Sequence, residues 1–208
     1  DYIETNDYLR TAAPTVWAAG DVRGKFHLSH MAEQESKSVI SGALFGLPLK
    51  PAFSQMAHAI YTDPEVARIG PTQAELRAQR VDFECWDFAR SGVDRAVTDG
   101  QELGYYQLLT GRRGRILGAS IVGSHAGELM QEVLLAMQQG LSAGKLSSSL
   151  HLYPTLTLGN RYAADLYAME RLVPSWLSRW IRGLYGFDTS REPREILAPL
   201  LQKGQARP

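Results

Sequence analysis

The stretch "LGYYQLLTGRRGRILGASIVG", Leu103–Gly123, contains two runs of strand-forming residues joined at Gly111–Gly114. Aromatic and aliphatic side chains on either side of a glycine-bounded turn predict an antiparallel hairpin. Directly after it the period changes. In "SHAGELMQEVLLAMQQG", Leu129, Val133, Leu134 and Met137 fall on one face of a helix, and Gly140 supplies a stop. A hairpin followed by an amphipathic helix gives an α+β class, with an antiparallel sheet packed by helices.

Working upstream, Val81–Phe88 alternates as a further strand, while His58–Thr62 and Glu65–Gly70 read as short strands around a turn at Asp63-Pro64. In "PTQAELRAQ", Thr72 and Glu75 have the spacing of a capping box and start a helix. Downstream, a second helical stretch from Ser142 leads into "HLYPTLTLGNRYAADLY". There is no internal repeat and no low-complexity segment.

The breaker-rich "GLPLKP", Gly46–Pro51, separates this half from an earlier one. There, Pro14 introduces a predicted strand, Thr15–Ala19, within "TVWAAGD", which ends in Gly20 and Asp21. From Leu28, "LSHMAEQESKSVISGALFG" repeats Ala32, Val39, Ile40 and Ala43 near the helical period, with Ser29 as N-cap and Gly46 past the end. A strand thus leads through a loop to a helix amino terminus, whose free N–H groups and dipole favour electron-rich oxygens. On the residues alone, Gly20-Asp21 reads more simply as a plain turn.

Composition narrows the function classes. The 208 residues are 44% hydrophobic and 21% charged, enough apolar content for a sizeable core. Lys plus Arg and Asp plus Glu balance at 22 each, so no overall field draws the chain to nucleic acid. The single cysteine, Cys85, excludes an internal disulfide framework, a Cys-rich metal site and an internal redox dithiol, and suits a reducing, cytoplasmic compartment. It is expected to be a buried structural thiol. No stretch approaches 18 apolar residues. The first residues form neither a basic n-region nor an apolar h-region, and the chain is expected to begin mid-fold.

In order, "TVWAAGDV", "LSHMA", "YTDPEVARIG", "RAVTDG", "GYYQLL", "ILGASIVGSHAGELMQEVLLAMQQG" and "YPTLT" resemble the carboxyl-terminal part of the FAD-dependent pyridine nucleotide-disulfide oxidoreductases, the family of dihydrolipoamide dehydrogenase and mercuric reductase. The resemblance runs from Leu9 to Tyr167 without a break. It implies a fragment of the FAD-binding domain at 1–50, an interface or dimerisation domain at 51–170, and a helical extension at 171–208. It also implies cofactor-binding roles: Gly20 and Asp21 at the flavin's ribityl and phosphate portion, and Leu28, Ser29 and His30 at the helix start facing the pyrimidine edge. The implied parent enzyme is a homodimer that moves electrons from NAD(P)H through FAD to an unknown acceptor. The alternative is a dimerisation or interaction module with no redox chemistry of its own.

The departures from the family are as informative. No GxGxxG fingerprint occurs, and the redox cysteine pair is absent. Where disulfide reductases of the family carry His-x-His-Pro-Thr-x-Ser-Glu, Tyr153 stands at the acid/base histidine and Leu158 at the glutamate. A phenol with a reference pKa near 10 is a poor acceptor at neutral pH, which argues against lipoamide or glutathione turnover. Tyr153 is therefore either a catalytic-position residue beside the partner subunit's flavin or a half-buried interface aromatic with its hydroxyl bonded. The chain by itself is expected to fold, to hold no stoichiometric FAD and to be inactive as a reductase. In "PSWLSRWIRGLYG", Trp176, Leu177, Trp180, Ile181, Leu184 and Tyr185 would form one face of a helix. Docking of that face on the body or on the sister subunit is favoured over contact with a membrane surface.

Overall fold

A computed structural model of the chain describes residues 1–51 and 56–172. It divides into two compact units, Asp1–Ser54 and Gln55–Pro208. The tail proposed as an amphipathic helix lies outside the described residues.

In the first unit the expected strand Thr15–Ala19 does not form. The segment instead folds back on Leu9–Thr11 through one antiparallel bridge, Arg10 to Trp17. Ala18 N–H donates to Leu9 O at 3.0 Å and Thr11 N–H to Val16 O at 3.0 Å. A turn at Ala13 closes this loop, since Val16 N–H donates to Ala13 O, and the ladder is too short to extend into a strand. Gly20–Arg23 then make a single 3₁₀ turn, followed by helix α1, Ser29–Phe45.

The start and the buried face of α1 differ from expectation. Leu28, extended at φ −138°, occupies the N-cap, and Ser29 is already the first helical residue, so its hydroxyl does not cap. The buried positions are Met31, Glu35 and Ser38; Ala32 and Val39 are half-buried, and Ile40 and Ala43 are exposed. A polar side chain lies at the centre of the packed face because Glu35 serves an internal ion pair. Gly46 ends the helix as expected, at φ +66°, with its N–H donating to Ser41 O.

The second unit is α+β, as the hairpin and helix pattern predict. Among the described residues, strands β1 (Ala57–Ile60), β2 (Val66–Ile69), β3 (Glu84–Ala89), β4 (Tyr105–Thr110) and β5 (Ile116–Val122) form one sheet in the order β1-β2-β5-β4-β3. Every pairing is antiparallel. The hairpin is β4–β5, with Leu108 opposite Ala119 and a register shift at Leu109/Thr110. Its turn requires left-handed backbone at Arg113 (φ 58°) and Gly114 (φ 74°). Gly114 also has no space for a Cβ, which would stand 2.5 Å from the Tyr167 ring.

Helices α2 (Gln73–Ala78), α3 (Asp94–Thr98), α4 (Ala126–Gln138), α5 (Ala143–Ser148) and α6 (Leu158–Leu172) complete the unit. The capping box is present in full. Thr72 Oγ1 accepts from Glu75 N–H at 3.0 Å, and Glu75 Oε2 accepts from Thr72 N–H at 2.6 Å. On α4, Leu129, Val133 and Met137 are buried as predicted and Leu134 is half-buried. Ser142 caps α5 by accepting from Lys145 N–H.

The core lies between the sheet and the helices α4 and α6. Ile69, Trp86, Tyr106, Leu108, Ile116 and Ile121 from the strands meet Met130 and Val133 of α4 and Leu158, Ala164 and Tyr167 of α6. Trp86 packs edge-on to Tyr167 at 5.8 Å between ring centroids, and its Nε1–H donates to Thr110 Oγ1 at 2.8 Å. Burying the indole therefore leaves no orphaned donor. No helix among the described residues is long and apolar enough to cross a membrane.

Candidate functional site

The two groups of predicted site residues lie in different units. In the first unit, Glu35 fixes the Gly20–Arg23 turn. Its Oε2 accepts the Gly20 N–H at 2.6 Å, and its Oε1 pairs with Arg23 Nη1 in a buried ion pair. Arg23 Nε also donates to Thr5 Oγ1 at 3.0 Å. Gly20 has φ +79°, and a Cβ there would stand 3.2 Å from Ala32 Cβ, so the turn lies directly against the first turns of α1. Gly20 is buried, whereas Asp21 is exposed.

This arrangement presents a carboxylate next to the amino-terminal part of a helix. Leu28 precedes α1, Ser29 and His30 are its first two residues, and the first i→i−4 bond is donated by Ala32 to Leu28 O. Met31 N–H also donates to Leu28 O at 3.0 Å, and the helix dipole adds positive potential at this end. An exposed Asp can accept from sugar-like hydroxyls, and the helix start can donate to electron-rich oxygens. The residues thus fit the polar portion of a flavin dinucleotide. Glu35 and Arg23, which hold the turn, were not legible beforehand: their only sequence signal is a glutamate on the packed face of a helix.

In the second unit, the segment from Ser149 to Thr157 forms an irregular loop between α5 and α6, with a cis Tyr153-Pro154 bond. Its anchors come from several elements. The His151 side chain is buried, with Nδ1 at 3.0 Å from Ser149 O. Its Nε2 is 2.7 Å from Glu132 Oε1, an approach too oblique for a hydrogen bond. Asn160 Nδ2 donates to Glu132 Oε2 and to Leu129 O, both at 2.9 Å, which ties α6 to α4. At the far end of the loop, Tyr106 Oη donates to Leu156 O at 2.8 Å.

Tyr106 is itself held by Arg90, whose guanidinium is fully buried. Arg90 Nη1 donates to Tyr106 Oη at 3.3 Å, Nε to Gln101 O at 2.7 Å, and Nη2 to Ser124 Oγ. Burial pushes the Tyr106 phenol up to about 12, so it remains a donor to Leu156 at any physiological pH. Arg90, Tyr106, Glu132 and Asn160 are positioning residues that the sequence reading missed, since each acts through contacts distant along the chain.

Tyr153 is 69% exposed, not half-buried, and its hydroxyl donates to Asp94 Oδ2 at 2.7 Å. The hydrogen bond to Asp94, then the charge of Asp94, holds the Tyr153 phenol above its ordinary value. The hydroxyl proton is thus committed to the hydrogen bond with Asp94. Leu158, five residues further on, is buried in the core. Cys85 is half-buried on β3, with its thiol pushed up to about 12 by burial and by Asp87. Among the described residues no group of His, Cys, Asp and Glu could hold a metal ion.

The family profile described as "Pyridine nucleotide-disulphide oxidoreductase, dimerisation domain" matches residues 56–161, essentially the whole sheet and its helices up to the start of α6. The chain belongs to this family. Among curated relatives it is 34% identical over 168 residues to the mitochondrial dihydrolipoyl dehydrogenase of Dictyostelium discoideum, covering 79% of this chain and 34% of that protein. It is 32% identical over 172 residues to the dihydrolipoyl dehydrogenase of Buchnera aphidicola, covering 80% and 35%. The crystal structure of LpdA from Mycobacterium tuberculosis superposes with TM-score 0.73 at 26% identity, over 80% of this chain and 36% of that one. The HOCl-induced flavoprotein disulfide reductase RclA from Escherichia coli shares the fold, with TM-score 0.74 at 20% identity, over 81% of this chain and 38% of that one. The chain spans about a third of the length of the curated relatives it matches.

Proposed function

We propose that this chain is the interface module, together with the end of the FAD domain, of a homodimeric oxidoreductase that draws electrons from NADH or NADPH through FAD. Residues 1–50 would then belong to the FAD domain, 51–170 to the interface domain and 171–208 to an extension. The observation that carries the flavin part is the Gly20–Arg23 turn, locked onto α1 by Glu35 so that Asp21 remains exposed. Asp21 would accept from ribityl hydroxyls, Gly20 would allow close backbone approach, and the backbone at Leu28, Ser29 and His30 would face the pyrimidine edge. Bound FAD would supply the two-electron chemistry that no side chain of this segment can.

The homodimer part rests on exposed apolar surface. Leu150 is 97% and Leu152 78% exposed, immediately before Tyr153 in an otherwise well-packed unit. A second copy covering this loop would remove that surface from water and bring Tyr153 toward the partner subunit's flavin. The electron acceptor is one that needs no His–Glu proton relay from this loop, because Tyr153 and Leu158 stand in those places. That same observation favours the second reading, in which the segment only dimerises and the redox chemistry lies wholly elsewhere.

The test is made on the native gene product that carries this segment, purified from its source cells. The proposal expects about one FAD per chain, oxidation of NADH or NADPH, and loss of flavin occupancy in Asp21→Ala. A colourless product inert to both nicotinamides would overturn it. The 208-residue chain alone is expected to retain no stoichiometric FAD, since Asp21 and one helix start offer only a few hydrogen bonds of about 1 kcal/mol each.

A further inference from the structure

The loop presents Tyr153 with a specific partner that does not itself belong to the loop. Asp94 is the first residue of α3, and its Oδ2 lies 2.7 Å from the Tyr153 hydroxyl across 59 residues of sequence. Asp94 is positioned by the backbone beneath it, since Val93 and Ala96 on either side are fully buried. The loop is positioned without Asp94: Tyr106 holds Leu156 O, Thr155 Oγ1 donates to Leu152 O at 2.7 Å, and His151 packs against Glu132. Two independently fixed backbones thus bring one carboxylate and one phenol together on the exposed side of the unit.

We propose that Asp94 is a positioning residue for Tyr153: it takes the phenol proton in a hydrogen bond, so that the loop presents the oxygen lone pairs of Tyr153 as a fixed acceptor for an N–H or O–H donor. The inference rests on the reading that this loop faces the reacting centre. It adds that where the family resemblance implies a titrating histidine, this chain holds a non-titrating acceptor beside a negative charge. Such a pair receives a neutral donor, for example an amide N–H or a hydroquinone-type O–H, and repels a thiolate. The groups facing the Tyr153 hydroxyl are Asp94 from α3 and, at longer range, Tyr162 from α6. Tyr162 disfavours the phenolate as Asp94 does, so it does not oppose the effect of Asp94.

The pair is tested on the 208-residue chain labelled with tyrosine carrying ¹³C at Cζ, its Tyr153 resonance assigned by its loss in Tyr153→Phe. The proposal expects the Tyr153 resonance to titrate at higher pH than free tyrosine in the same buffer. It expects the midpoint to fall in Asp94→Asn and to return in Asp94→Glu. A purely structural role for Asp94 would leave the midpoint in place while lowering the melting temperature. A wild-type midpoint at or below that of free tyrosine would overturn the proposal before any variant is made. So would a midpoint unmoved by Asp94→Asn in a chain that still melts normally. None of these readings depends on flavin content, so a colourless gene product would sink the functional reading and leave the pair standing or falling on its own titration.

Discussion

Glu35 illustrates what a single residue does in this fold. It accepts from Gly20 N–H and pairs with Arg23 while almost wholly buried, so neutralising it removes the negative charge that faces the Arg23 guanidinium. Leaving a buried guanidinium without its carboxylate costs about 3–5 kcal/mol. Glu35→Gln is therefore expected to release the Gly20–Arg23 turn, seen as faster amide hydrogen exchange at Gly20 and at Gly24, whose N–H donates to Asp21 O. Protection equal to that of the unmodified chain would contradict the role given to the pair. Cys85 makes the opposite point, that a reactive residue type need not be reactive. Its thiol sits near 12, from burial first and the charge of Asp87 second, against about 8.5 for a free cysteine. At pH 8 its thiolate fraction, and with it the rate of alkylation by iodoacetamide, is expected to be on the order of a thousandfold below that of the unfolded chain. Alkylation at the unfolded rate would show the site to be open. The expected thiol is half-buried rather than buried, and Glu35, Arg90 and Asp94 are invisible in the sequence because their partners are 11 to 59 residues away.

At the scale of elements, local signals were legible and long-range ones were not. The β4–β5 hairpin, the α2 capping box and the buried stripe of α4 follow from the spacing of residues within one short contiguous stretch each, and each is present. Thr15–Ala19 failed as a strand because a strand needs a neighbour, and this segment pairs with Leu9–Thr11 through a single bridge. The face of α1 was misread because its centre is an ion pair, which apolar periodicity cannot reveal. Helices α3 and α6 were not anticipated; α3 has only five residues, and α6 begins inside the motif stretch. The capping box also makes a prediction about acid stability. Glu75 is held down to about 2, by the Thr72 backbone N–H first, then the Thr72 hydroxyl and Arg68. An unfolded glutamate titrates near 4.3, so this group stabilises the fold above that value and loses its contribution as pH falls towards 2. The difference in melting temperature between the unmodified chain and Glu75→Gln is expected to shrink across that window. A difference that stays constant from pH 6 to pH 2 would show that the carboxylate charge does not matter to the cap.

Over the whole molecule, family membership rests on the sheet order, the helices packed on it and the match across residues 56–161. The same region presents an apolar loop, Leu150–Tyr153, that remains exposed in a single copy. A dimerisation domain that works as one should cover such a surface, and stable interfaces of this kind bury more than about 2,000 Å² in total. The balanced charge of 22 acidic and 22 basic residues adds no net repulsion between copies. Dimerisation is tested by the mass of the purified chain in multi-angle light scattering at micromolar concentration. The expected mass is twice the chain mass of 23.0 kDa, with Leu150→Asp and Leu152→Asp together shifting it toward the single chain. A mass of one chain for the unmodified protein across the micromolar range would contradict it.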